Sequence, residues 1–199
     1  MKYKSILLFG VPGCGKGTQG KMLGAIPGFL HSSTGDLFRS LDKNSEMGKV
    51  FLQYSTRGEL VPDEFTINLW KQHMQNLVAA KKFNPATDLV VMDGVPRNAQ
   101  QAELLKDSIE VQKIIYLCTA EINAMVQRLK GRALKENRPD DADENVIRRR
   151  MEVYESETAP VLKCYPADKV ARIEANQSMI RVHGEIVKAL IAVKEAAER

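Results

Sequence analysis

Cysteine is scarce in this chain of 199 residues: Cys14, Cys118 and Cys164 are far apart and odd in number. Their spacing gives neither the paired thiols of a metal site nor the even set of a disulfide framework, so no structural zinc is expected. Unpaired thiols are typical of a reducing compartment, and the cytoplasm is therefore the predicted location.

Long apolar runs are also missing, since the first one, Ile6-Leu7-Leu8-Phe9, is far shorter than the roughly 20 residues that cross a membrane. Aromatic residues make up only 6% of the chain and are not interleaved with the basic residues behind its net charge of +4. We therefore expect neither a membrane nor a nucleic-acid partner. His31, His73 and His183 have no metal-binding spacing and are interpreted as structural or surface residues.

Apolar runs alternate with helical patterns along the chain. The apolar content of 44% suits one core with small insertions, and nothing demands a partner chain, so we expect a monomer. Near-continuous apolar runs are typical of parallel strands covered on both faces, which predicts an α/β fold with a doubly wound five-stranded parallel sheet flanked by helices. The predicted strands are 4–9, 29–33, 88–92, 111–118 and 167–174. Predicted helix faces are formed by Ile67, Trp70, Met74, Leu77 and Val78, and by Val182, Ile186 and Leu190.

Residues 10–16 have the spacing of a phosphate-binding loop between a strand and a helix. Its glycines let backbone N–H groups surround an anion, and the helix that follows adds the positive end of its dipole. Lys16 supplies a charge for the outer phosphates, and Thr18 supplies a hydroxyl for magnesium, with Gly17 between them. The alternative is a glycine-rich turn without a ligand, and the strand and helix on either side argue against it.

Two further motifs follow predicted strands. Residues 33–39 (Ser-Thr-Gly-Asp-Leu-Phe-Arg) follow the second strand, and by themselves they equally indicate a helix start capped by Thr34 or Asp36. Residues 93–97 (Asp-Gly-Val-Pro-Arg) close the third strand, with Gln101 one helical turn beyond. The carboxylate of Asp93 is placed to hold magnesium through water, and Arg97 can reach an anion above the sheet.

Two intervals do not fit the alternation of strand and helix. Residues 34–62 contain helical patterns without a strand, and residues 132–142 are polar with little to bury. We expect both to be mobile insertions on a core of about residues 1–33, 63–131 and 143–199.

These motifs, in their order along nearly the whole chain, resemble those of adenylate kinases, which are P-loop NTPases. The resemblance rests on residues 10–19, residues 33–39, residues 93–97 with Gln101, Gly131-Arg132, Arg138-x-Asp140-Asp141, Arg150 and Thr158-Ala159-Pro160. It implies reversible in-line transfer of the terminal phosphoryl group of ATP to AMP, giving two ADP, with Mg²⁺ and a role in adenine nucleotide homeostasis. It also makes residues 34–62 the NMP-binding insertion and residues 132–142 a short lid.

The resemblance assigns roles to individual residues. ATP would be bound by Gly13, Cys14, Gly15, Lys16, Gly17, Thr18, Arg128, Arg132 and Gln177. AMP would be bound by Thr34, Arg39, Glu59, Leu60, Val61, Gly94, Val95, Pro96, Arg97, Gln101, Arg138 and Arg150. Transfer would be assisted by Lys16, Arg97, Arg132, Arg138 and Arg150, with Mg²⁺ held by Thr18 and Asp93, largely through water and phosphates.

Some alternatives stay open in the sequence. Arg149 competes with Arg150 for the role of clamp, because the segment before them is one residue longer than the usual pattern, whereas Arg148 is predicted to pair with Glu144 on the surface. A UMP/CMP-type kinase is the nearest alternative function, and Thr34 and Gln101 favour adenine over it. A nucleotide-dependent switch or ATPase is more remote, since a switch has no use for a second nucleotide pocket.

Overall fold

Five parallel strands form the centre of the protein in a computed structural model that describes residues 2–136 and 138–197. They are β1 (Tyr3–Gly10), β2 (Phe29–Ser33), β3 (Leu89–Asp93), β4 (Ile109–Cys118) and β5 (Val170–Glu174). Their order across the sheet is β2-β3-β1-β4-β5. Because β2 and β3 lie on one side of β1 and the chain then crosses to β4 and β5 on the other, the sheet is doubly wound, which confirms the predicted fold.

Six strand ends differ from the predicted ones: β1 extends one residue further at each end, β3 ends one residue later, and three strand starts differ for local reasons. Strand β5 begins at Val170 because residues 167–169 form a short 3-10 turn after Pro166. Strand β3 begins one residue late because the carboxylate of Asp88 accepts a hydrogen bond from the backbone N–H of Asn84, 2.7 Å away, and closes a turn. Strand β4 starts two residues earlier than predicted, where Ile109 pairs with Tyr3 of β1.

Helices cover both faces of the sheet and their apolar positions fill two cores. The α-helices are α1 (Lys16–Gly24), α2 (Thr34–Arg39), α3 (Glu46–Ser55), α4 (Asp63–Ala79), α5 (Ala99–Leu105), α6 (Ile122–Glu136), α7 (Glu144–Val153) and α8 (Met179–Ala197). Leu23, Met125 and Ile186 belong to one core, beneath α1, α6, α7 and α8, whereas Trp70 and Leu105 belong to the other, beneath α4 and α5. The two predicted helix faces lie on α4 and α8, as expected.

The carboxyl ends of the three strands on one side of the sheet meet at one point. Asp93 at the end of β3 is in register with Leu8 of β1 and with Ser33 of β2. The phosphate-binding loop, helix α2 and residues 94–98 therefore leave the sheet side by side. In open α/β sheets this crevice is where ligands bind.

Among the helices that the structure describes, none has the length and apolar composition needed to cross a membrane.

Candidate active site

A cleft of about 1070 Å³ lies above this edge of the sheet. All residues that the resemblance assigns to ATP, AMP and magnesium line it, with the exception of Val95. The side chain of Val95 is only 3% exposed and packs in the core beside α4 and α5. Its part in a nucleotide pocket is therefore limited to its backbone.

The phosphate-binding loop joins β1 to α1 at the centre of the cleft. A Cβ atom at Gly10 would lie 2.4 Å from the carbonyl oxygen of Leu117, so only glycine lets the loop lie this close to β4. Gly15, at φ 101°, directly precedes the first residue of α1. The ammonium group of Lys16 donates hydrogen bonds to the carbonyl oxygens of Gly10 and Val11, at 2.5 and 3.1 Å. The loop thus holds a cation and the amino end of a helix at one place.

Cys14 lies inside this loop with 3% of its surface exposed. Burial raises the pKa of its thiol, and the nearby charge of Lys16 does not fully offset that effect. The side chain therefore behaves as a small apolar group rather than as a nucleophile.

Asp93 faces the loop from the end of β3. Burial raises the pKa of its carboxyl group, but the close approach of His31 and the charges of Lys16 and Arg97 outweigh burial, so the pKa is lowered overall. His31, interpreted from the sequence as structural, places its Nε2 atom 3.7 Å from the Asp93 carboxylate. The Asp93 carboxylate and the hydroxyl of the exposed Thr18 both line the cleft, and both are oxygen ligands of the kind that suits Mg²⁺.

Five arginine side chains also line the cleft, and together we call them the arginine wall: Arg39, Arg97, Arg132, Arg138 and Arg150. Burial and the nearby charges of Arg150 and Arg39 lower the pKa of Arg97 to about 10, so it stays charged at neutral pH. Burial and the charge of Arg132 also lower the pKa of Arg138. The neighbouring positive charges contribute to both shifts, so the arginines repel one another and need opposite charges close by.

Two adjacent aspartates hold two residues of the arginine wall, Arg132 and Arg150. Asp141 is fully buried and accepts hydrogen bonds from Arg132 Nε at 2.7 Å and from Arg150 Nη1 at 2.5 Å. Asp140 accepts a further one from Arg150 at 3.1 Å. In the sequence both residues belong to the motif Arg138-x-Asp140-Asp141, which assigns them no role. The available signal was their position in the chain, between Arg128, Arg132 and Arg138 on one side and Arg150 on the other.

The same geometry separates the three consecutive arginines of α7. Arg150 lies inside the cleft with 22% of its side chain exposed, whereas Arg149 is 54% exposed and pairs with Glu152 on the outer surface. Arg148 pairs with Glu144 at 2.6 Å, as the spacing predicts. Lys130 and Arg148 both donate hydrogen bonds to Glu144 and lower its pKa.

The start of α2 lines the cleft beside the end of β3. Ser33, rather than Thr34 or Asp36, caps this helix, because its hydroxyl accepts a hydrogen bond from the backbone N–H of Asp36 at 3.2 Å. Thr34 instead donates to the carbonyl oxygen of Gly94 at 2.9 Å, which joins α2 to the end of β3. Burial raises the pKa of Asp36, but its hydrogen bond with Arg39 and the charge of Arg39 outweigh burial, so the pKa is lowered overall.

Arg128 and residues 175–177 meet at the far end of the phosphate-binding loop. Arg128 donates hydrogen bonds to the carbonyl oxygen of Ala175 at 3.2 Å and to Oδ1 of Asn176 at 3.1 Å. Gln177 lines the same end and donates to the carbonyl oxygen of Glu174 at 3.1 Å. A flat guanidinium beside this turn can stack on a nucleotide base.

No cluster of three or more histidine, cysteine, aspartate or glutamate side chains able to hold a metal occurs within residues 2–136 and 138–197. A magnesium ion at this site would therefore depend on ligands that the substrate brings, which agrees with how this metal is usually bound in phosphoryl-transfer sites.

Comparison with known proteins agrees with this geometry. The model of the family "Adenylate kinase" matches residues 8–170. A protein named adenylate kinase from Cyanothece sp. is 37% identical over 188 residues, which cover 91% of this chain and 92% of that protein. Proteins of the same name from Maricaulis maris and Dehalococcoides mccartyi are 37% and 31% identical, covering 94% of this chain and 98% and 97% of their own lengths. The chain therefore belongs to the adenylate kinase family of nucleotide-binding, P-loop phosphotransferases.

Proposed function

We propose that this protein transfers the terminal phosphoryl group of ATP to AMP, reversibly giving two ADP. One observation carries the proposal: the phosphate-binding loop, the residues around Thr34 and Gln101, and the arginine wall all line a single cleft. Two nucleotides bound with their phosphates facing each other would fill this arrangement.

The residues act by positioning and by charge. The loop and Lys16 would hold the phosphates of ATP, with its base between Arg128 and Gln177. Arg39 and Arg97 would hold the phosphate of AMP, because a guanidinium binds two oxygens at once and stays charged. Arg132, Arg138 and Arg150 would stabilise the charge that accumulates on the transferred group. No general base is needed, since in-line phosphoryl transfer depends mainly on alignment and electrostatics.

Magnesium would be held by Asp93 and Thr18, largely through water and the ATP phosphates. When bound, it would neutralise negative charge on the phosphates. The lowered pKa of Asp93 keeps its carboxylate ionised for that contact at neutral pH.

Water must be kept out of the cleft, because it competes with AMP as the acceptor. We propose that residues 34–62 act as the mobile NMP-binding insertion and residues 132–142 as a short lid on a core of residues 1–33, 63–131 and 143–199. Helix α6 extends to Glu136, so the first half of this lid is the end of a helix.

The wider role that we propose is to balance the adenine nucleotide pool as a monomer in the cytoplasm. Free thiols at Cys14, Cys118 and Cys164 are compatible with that location.

Steady-state turnover with ATP and each of AMP, UMP, CMP and GMP tests the activity. We expect the fastest reaction with AMP. Faster turnover of UMP or CMP would assign the protein to the pyrimidine branch, and ATP hydrolysis that does not depend on AMP would indicate a switch or ATPase instead.

A further inference from the structure

Gln101, the residue proposed to read the base of AMP, has its amide held from two sides. Its Oε1 accepts a hydrogen bond from the backbone N–H of Arg97 at 2.8 Å. Its Nε2 donates to Oδ1 of Asp63, also at 2.8 Å. The residue lines the cleft and is only 1% exposed, so this amide has no bulk water in which to reorient.

The chemistry of the two partners fixes which end of the amide is oxygen. An ionised carboxylate can only accept a hydrogen bond, and a backbone N–H can only donate one. A flipped Gln101 would set its oxygen against the Asp63 carboxylate and its NH₂ against the Arg97 N–H, and both contacts would be lost. The orientation therefore follows from Asp63 and not from the similar shapes of the two amide ends.

Asp63 is itself held in place by a third side chain. Asn98 donates from Nδ2 to the same Oδ1 of Asp63 at 2.9 Å, while its own Oδ1 accepts from the backbone N–H of Gln101 at 2.8 Å. Asp63 is the first residue of α4 and Asn98 caps α5. The orientation of the amide is thus tied to the starts of two helices of the core.

A fixed amide can distinguish two bases of nearly the same shape. After these contacts, Gln101 retains one N–H hydrogen and one oxygen lone pair for a ligand. Adenine offers an acceptor at N1 beside a donor at its 6-amino group, whereas hypoxanthine offers a donor at N1 beside an acceptor at O6. An amide that fits one of these edges fits the other only after it flips.

We propose that Asp63 is a specificity-determining positioning residue, which orients Gln101 so that the site accepts AMP and rejects IMP. This inference rests on the proposed function, because it concerns the same acceptor pocket. Asp63 is not among the residues that line the cleft, and it acts through Gln101.

The ratio of kcat/KM for AMP to kcat/KM for IMP, with ATP as donor, measures this discrimination. Asp63→Leu removes the acceptor and should lower the ratio by about tenfold, the scale of one hydrogen bond that decides between two orientations. Asp63→Asn should keep most of the ratio, because Asn98 needs an acceptor and holds the new amide with its oxygen toward Gln101. In Asp63→Ser the side chain is too short to reach Gln101, so the ratio should fall as it does in Asp63→Leu. This variant provides a second test if the leucine variant does not fold.

Glu64→Leu is the matched control. Glu64 is the other acid in the first turn of α4 and is exposed, so its removal changes the helix charge equally and should leave the ratio unchanged. An unchanged ratio in an active Asp63→Leu or Asp63→Ser variant would overturn this inference but leave the proposed function standing. A wild-type enzyme that does not phosphorylate AMP would overturn the proposed function and this inference with it.

Discussion

The floor and the arginine wall of the cleft would bind phosphate with different materials. The floor is a loop of consecutive residues whose glycines bring backbone N–H groups and Lys16 together. The arginine wall consists of side chains from α2, residues 94–98, α6, position 138 and α7. Their like charges repel one another, which adds to the effect of burial in lowering the pKa of Arg97. Asp140 and Asp141 hold two of them in place. A loop of backbone is assembled by local conformation, whereas the wall needs buried acids to compensate its charge.

The largest expected effect on kcat comes from removing the charge of Lys16, the cation of the floor. Lys16→Met should lower kcat by at least about a hundredfold, the scale for removing one preorganised donor, with little change in thermal stability. Lys188→Met, an exposed change on α8, is the control in the same steady-state assay. A near-normal kcat in Lys16→Met would mean that the backbone alone forms the floor.

The next effect tests whether the acids hold the arginine wall. Asp141→Asn should lower kcat by about tenfold, since Arg132 and Arg150 lose the charge that keeps them close together. It should also reduce the free energy of unfolding by about 1–3 kcal/mol, because a buried charge-assisted hydrogen bond is lost. Steady-state kinetics and urea unfolding measure the two effects.

Asp143→Asn is the control for that change, because Asp143 caps α7 and asparagine caps helices equally well. Normal kcat in Asp141→Asn would show that the arginines do not depend on their acids.

A smaller effect is expected where residues 34–62, the proposed NMP-binding insertion, approach α7. Gly58 has φ +70°, and a Cβ there would lie 2.9 Å from the carbonyl oxygen of Val146 in α7. Gly58→Ala should raise KM for AMP about fivefold and leave KM for ATP unchanged, because the insertion must stay back from the helix at a cost of about 1 kcal/mol. Backbone strain from the positive φ is present in open and closed states alike, so it would lower stability but not KM.

Gly184→Ala on α8, where an added Cβ meets nothing within 4 Å, should change neither constant. Equal effects on KM for AMP and ATP in Gly58→Ala would indicate general damage rather than a contact of the acceptor side.

The smallest effect is a pH dependence of stability at Asp93, the carboxylate beside the floor. Because the folded protein lowers the pKa of Asp93, its carboxylate adds stability above the unfolded pKa of about 4, and this is lost as pH falls through the lower folded value. The difference in unfolding free energy between wild type and Asp93→Asn should therefore narrow in acid. Asp107→Asn, at a 98% exposed side chain, should show no such narrowing, and a constant gap for Asp93→Asn would contradict the shift.

The sequence predicts the floor and the sheet well, because both are local. Glycine spacing defines the loop, and uninterrupted apolar runs define β1, β3 and β4. It predicts which arginines enter the cleft only through resemblance, since Arg39 and Arg150 are more than a hundred residues apart in the chain.

What the sequence does not predict are contacts between distant elements. His31 lies against Asp93 because β2 and β3 are neighbours, and Asp63 reaches Gln101 because α4 and α5 begin side by side. Neither residue belongs to a motif, so no spacing along the chain indicates these roles. The helix cap at Ser33 likewise depends on Thr34 being drawn to Gly94.

Calorimetric titration of AMP into protein saturated with a non-hydrolysable ATP analogue tests most directly whether one cleft holds two nucleotides. The account predicts one AMP bound per chain in the presence of one bound analogue. The variant Arg97→Ala should weaken the binding of AMP and leave the binding of the analogue unchanged. Competition between AMP and the analogue for a single site would contradict it.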